Sequence, residues 1–127
     1  VIEAVLDTNI IIDLINQFPK AQLWQQQHKH SQFAITPIVW METVQGARNK
    51  LELRSSLNFL KQFSLEHSNS NDHLWAMKQV EAFWLNHHLS FSDALIASVA
   101  VRLQVPLYTR NVKHFNMLPK LTAAQPY

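Results

Sequence analysis

The sequence contains no cysteine, which excludes disulfides, thiolate nucleophiles and cysteine-ligated metals. Long apolar runs are missing too. The most continuous one, Ala94–Val101, contains Ser98 and falls far short of a membrane span. The beginning lacks the charged-then-apolar layout of a signal peptide, so the expectation is a cytoplasmic protein with no membrane attachment. Charge is sparse at 16% of residues, and the nine acids are outnumbered by eleven Lys and Arg, for a net charge of +2. That balance permits nucleic-acid binding without demanding it. If three of the nine acids share one cleft, the rest of the surface is distinctly basic. Such a surface suits a polyanionic substrate with a cation in the pocket.

What is present is a globular composition. Hydrophobic residues make up 47% of 127, enough for one core, and a single domain over residues 1–127 is expected. The stretch Ala4–Asn9 organises the rest. Val1–Leu6 is apolar apart from Glu3 and suits a buried strand, which Asp7-Thr8-Asn9 ends before Ile10–Ile15 starts a helix. Asp7 reads either as an N-cap or as a carboxylate at the C-terminal end of a parallel strand, where open α/β sheets place ligands.

Pro19 opens a second helix expected to reach about His30, with Leu23, Trp24 and Gln27 on one face. His28 and His30 are two apart and point to different helical faces, so they do not suit a shared metal. Phe33–Ile35 is a second strand, and Thr36-Pro37 starts a third helix with Glu42 at the edge of its apolar face. On the helix alone, Glu42 reads as an exposed acid. Gly46, the only glycine, falls in a later turn of that helix. Leu51–Phe63 forms a fourth helix, Ser64–Glu66 a brief strand, and His67–Asp72 a loop. His73–His87 is a long amphipathic helix whose aromatic stripe suits a core or a dimer face. Ser92 is expected to cap the next helix, with Asp93 in its first turn, where the macrodipole favours a negative charge. Capping alone accounts for Asp93. The all-round apolar Ala94–Val101 implies deep packing. Leu107-Tyr108 is a fourth strand, and its polar end Thr109-Arg110-Asn111 repeats that of the first. Ala123–Tyr127 shows no periodicity.

Alternating short strands and helices predict a three-layer α/β domain with a parallel sheet. In that layout Asp7 and Asn111 leave the same sheet edge. Asp93 begins a helix just before the strand bearing Thr109, and Glu42 lies on the helix after the second strand. Oxygen-bearing side chains are therefore expected at one rim.

These stretches resemble the PIN-domain ribonucleases, specifically the VapC-type toxins of type II toxin–antitoxin modules. The likeness runs through Val5-Leu6-Asp7-Thr8-Asn9, Trp40-Met41-Glu42-Thr43, Ser92-Asp93-Ala94-Leu95-Ile96-Ala97 and Leu107–Phe115, in order and in register. It implies a PIN-like α/β/α sandwich with a short, mainly parallel sheet, and a metal-dependent endoribonuclease. Asp7, Glu42 and Asp93 match the family's acidic triad, which holds Mg²⁺ or Mn²⁺. Three converging carboxylates repel, and a hard divalent ion relieves that repulsion. Asn111 stands where many members carry a fourth acid, which implies one tightly held ion, with any second depending on the substrate phosphate. Thr8 and Thr109 match hydroxyls lining the family's site, while Asn9 reads as a structural cap. Arg48, Lys50 and Arg54, with Arg110 and Lys113 flanking Asn111, are candidate RNA phosphate contacts or an ordinary solvated surface. His114 and Trp40 read as packing or rim residues. The resemblance further implies a cognate antitoxin and a homodimer using the apolar helices around Trp24 and Trp84. Two alternatives remain open: a PIN module that binds RNA or protein without cleaving, favoured only by Asn111, and a housekeeping nuclease of RNA maturation.

Overall fold

β1 (Ile2–Leu6) is the centre of a five-stranded sheet in which every pairing is parallel. The computed structural model describes residues 1–127. After β1 come α1 (Thr8–Ile15), α2 (Pro19–Gln27), β2 (Gln32–Ile35), α3 (Pro37–Gln45), α4 (Lys50–Leu60) and β3 (Ser64–Leu65). There follow α5 (Ser70–His87), α6 (Phe91–Leu103), β4 (Leu107–Tyr108), a 3-10 turn at Val112–His114, and β5 (Ala123–Ala124). Ala4, Val5 and Leu6 are all fully buried. Successive strand residues face opposite sides, so both faces of the sheet are covered, as the α/β/α expectation requires. No helix is long and apolar enough to cross a membrane.

The strand order β3-β2-β1-β4-β5 decides where a ligand can bind. The chain leaves β1 to build β2 and β3 on one flank, then returns to place β4 and β5 on the other. The winding therefore reverses between β1 and β4, which opens a crevice beyond their C-terminal ends. The core is one cluster of 23 buried apolar residues, to which α6 contributes Ala94, Ile96, Ala97, Val99 and Ala100. Its alanines let the helix seat closely against α5 and β1.

Several boundaries differ from the expectation, each for a local reason. α5 starts at Ser70 inside the predicted loop, because Asn69 and Asp72 cap each other's backbone in a reciprocal box. α2 stops at Gln27, where the His28 N–H doubles back onto the Gln25 and Trp24 carbonyls. The cap of α6 is Ser90, not Ser92: Ser90 Oγ accepts from the Asp93 N–H at 3.1 Å, while Ser92 lies inside the first turn. The tail after Thr122 forms a fifth strand, since β4 offers it an edge to pair with. Trp24 itself is buried against Phe33, Tyr108 and Tyr127, while its helix neighbour Leu23 stays exposed. The stripe on α5 is divided, with Val80 and Phe83 packing on the core while Leu74, Met77, Trp84 and Leu85 stay exposed.

Candidate active site

The end of β1 delivers Asp7 to the crevice. Its backbone N–H donates to the Tyr108 carbonyl at 2.9 Å, tying it to the end of β4. Its side chain caps α1 by accepting from the Thr8 N–H at 2.8 Å, and its second oxygen accepts from the Thr109 hydroxyl at 2.7 Å. Asp7 is therefore both cap and rim carboxylate. Thr109 is fully buried, and its hydroxyl oxygen also accepts from Asn9 Nδ2 at 3.3 Å and from the Asn111 N–H at 3.0 Å. One hydroxyl thus joins the ends of the two strands that flank the crevice. Asn9 is not a cap: it lies inside the first turn of α1, whose cap is Asp7, and its side-chain oxygen instead accepts from the Arg110 N–H at 3.1 Å.

Glu42 projects from α3 into solvent, and one of its oxygens accepts from the Thr8 hydroxyl at 2.6 Å. Asp93 sits half-buried in the first turn of α6. Its carboxyl is pushed up to about 6, mainly by burial and next by the charge of Asp7; Glu42 adds to this, while His114 and Ser90 oppose it. Burial also raises the Asp7 carboxyl. The Thr109 and Thr8 hydrogen bonds pull it back, Glu42 adds a further rise, and His114 a further fall. Asp93 therefore feels the charges of Asp7 and Glu42, and Asp7 that of Glu42. The three acids are not drawn into a tight cluster, and no three acidic or histidine side chains stand together at metal-ligating distance.

The remaining candidates are more dispersed. Asn111 is exposed and is tied to the site through its backbone. Arg48 is folded onto Glu52, with Nη2 3.1 Å from Oε2, and Lys50 and Arg54 stand exposed on α4. Lys113 is likewise exposed. Arg110 does not project as a free cation, since its Nε lies 3.0 Å from Asp13 Oδ2. Two residues outside the expected set belong here. His114, read as a rim or packing residue, is near enough for its charge to act on both Asp7 and Asp93. Asp13 was not singled out, although its spacing of four from Asn9 on α1 puts both on one helical face.

The family model described as the PIN domain matches residues 4–119. Among solved structures, a chain of a toxin–antitoxin complex from Klebsiella pneumoniae is 28% identical, with a TM-score of 0.79 and 98% of each chain covered. VapBC2 from Rickettsia felis, bound to a DNA fragment from its promoter, gives 25% identity and a TM-score of 0.77, again with 98% of each chain covered. VapBC-1 from nontypeable Haemophilus influenzae shares the fold at 22% identity, with a TM-score of 0.80 and 98% of each chain covered. A comparison with curated proteins finds no match.

Proposed function

The chain belongs to the PIN-domain family, and from that premise we propose that it is a metal-dependent endoribonuclease, the toxin of a toxin–antitoxin pair. It would act as one PIN unit over residues 1–127, in the cytoplasm. The observation that carries this reading is the set of acids at the point where the sheet winding reverses. Asp7 and Asp93 are both raised chiefly by burial, with the charge of Asp7 adding to the rise at Asp93 and that of Glu42 adding at both. Hard, oxygen-only donors under that repulsion fit Mg²⁺ or Mn²⁺. Asp7, Glu42 and Asp93 would hold the ion, with Asn111 offering a neutral oxygen. The bound ion would supply a polarised water and offset charge developing on the scissile phosphate.

The chain's own residues prepare that site. Thr109 orients Asp7 and Thr8 orients Glu42, which reduces the rearrangement needed when the acids are engaged. His114, when protonated, brings a charge that favours the ionised acids. Lys50, Arg54 and Lys113 are exposed bases available to RNA phosphates, whereas Arg48 would have to leave Glu52 to join them. The relatives solved as toxin–antitoxin complexes support a cognate antitoxin as partner. The exposed apolar residues of α5 around Trp84 and Leu85 suit a homodimer. A second reading, a binding module that does not cleave, is favoured by the neutral Asn111 and the open spacing of the acids.

Cleavage of a mixed RNA panel by the purified protein, free of antitoxin, separates the two readings. Metal-dependent cleavage is expected with Mg²⁺ or Mn²⁺, abolished by chelator and cut by at least about a hundredfold in Asp7→Asn and in Asp93→Asn. RNA binding without cleavage would select the non-catalytic reading.

A further inference from the structure

Beside the acids lies a polar chain that the proposed function does not use. Asn9 and Asp13, one turn apart on α1, both reach the loop Thr109–Asn111 that leaves β4. Asp13 pairs with the Arg110 guanidinium, and the same carboxylate oxygen accepts a hydrogen bond from the Tyr127 hydroxyl. The Asp13 side chain is only 13% exposed, so its charge is weakly screened and leaving it alone would be costly. Burial and the neighbouring Asp13 carboxylate both raise the Tyr127 phenol, which therefore keeps its proton and donates. The tyrosine ring is seated independently of its hydroxyl, 6.1 Å from Phe18 and 5.9 Å from Trp24 between ring centres.

We propose that Asp13 and Tyr127 are positioning residues for the rim. Acting through Arg110, they hold the Thr109–Asn111 loop against α1, so that Thr109 stays on Asp7 and Asn111 keeps its place. Arg110 is then a strut between α1 and the rim and not an RNA contact. Only the kinetic part of the test rests on the nuclease reading.

The test uses the full chain with Tyr127→Phe, which keeps the ring, and Asp13→Asn, which keeps an acceptor but removes the charge. Amide hydrogen exchange is followed without metal or RNA. The Arg110 and Asn111 amides should exchange about tenfold faster in both variants. The Val5 and Asp7 amides, bonded to the Pro106 and Tyr108 carbonyls, should keep their rates. Unchanged exchange at Arg110 and Asn111, or equal acceleration at Val5 and Asp7, would overturn the proposal. In RNA cleavage, kcat should fall roughly tenfold at constant KM; a rise in KM with kcat intact would make Arg110 a substrate contact and also overturn it. If the unmodified protein cleaves nothing, the nuclease reading fails while hydrogen exchange still decides the positioning role.

Discussion

Asp93 ties the chemistry of the rim to the stability of the fold. Its carboxyl protonates near 6 in the folded protein against an ordinary 3.8. Between those values the folded state holds a proton that the unfolded chain releases, so stability falls as pH rises from about 4 to about 6, and the full penalty persists above that. Asp7, raised in the same direction, adds to this slope. Because Asp93 is only half-buried and its charge partly screened, we expect Asp93→Asn to stabilise the metal-free protein at pH 7.5 by about 1–2 kcal/mol and to flatten the slope. Urea unfolding in chelator at pH 4.5 and pH 7.5 measures both; an unchanged slope would remove Asp93 as its source. Asn111 allows a second residue-scale prediction. Exchanging its exposed amide for a carboxylate in Asn111→Asp should strengthen binding of a second divalent ion, visible as an added Mn²⁺ equivalent by calorimetric titration. An isotherm identical to that of the unmodified protein would remove the metal role from this position.

Among the elements, α6 shows how a two-residue shift in a cap changes a site. Capping by Ser90 starts the helix at Phe91, so Asp93 is the third helical residue and its own N–H is the one capped. Ser90→Ala should therefore cost about 1 kcal/mol, and Ser92→Ala much less. Thermal melts of the two variants at equal pH check the order, and an equal loss would return Ser92 to the role of cap. The Ser90–Asp93 spacing resembles that of a capping box and was available in the sequence. Helix ends were harder to read because the usual glycine signal is absent. Gly46 closes α3 with an ordinary negative φ, whereas the left-handed positions belong to Gln17, His88, Gln104 and Lys120. No residue type announces those turns.

Over the whole molecule, α5 and α6 are locked together at one end by a single ion pair. Asp72 is 4% exposed, and Arg102 Nε reaches its two oxygens at 2.9 and 3.2 Å, while Arg102 Nη2 donates to the His67 carbonyl. Arg102→Met keeps much of the stem but leaves a buried carboxylate without its counter-charge, held only by the Asn69 N–H. The expected cost is about 3–5 kcal/mol, against a smaller loss for Asp72→Asn, which removes the charge that needs a partner. Chemical denaturation of both variants tests the ranking, and a reversed order would mean that Arg102 stabilises through packing.

The sequence by itself determined the alternation of strands and helices, because the periods of apolar residues are local properties. It also determined the deep burial of α6, and the arrival of Asp7 and Thr109 at the ends of parallel strands. It placed Glu42 and Asp93 on helices near that edge for the same reason. Only the tertiary structure decided what depends on contacts between distant parts of the chain. Thr109 meeting Asp7, Thr8 meeting Glu42, and Asp13 taking Arg110 are side-chain meetings across 34 to 102 positions. The fifth strand likewise exists because β4 offers it hydrogen-bonding partners, and Trp24 is buried because aromatic neighbours from three other segments close over it. Local patterning decides which way a segment folds; only packing decides which charges meet and which remain free to act.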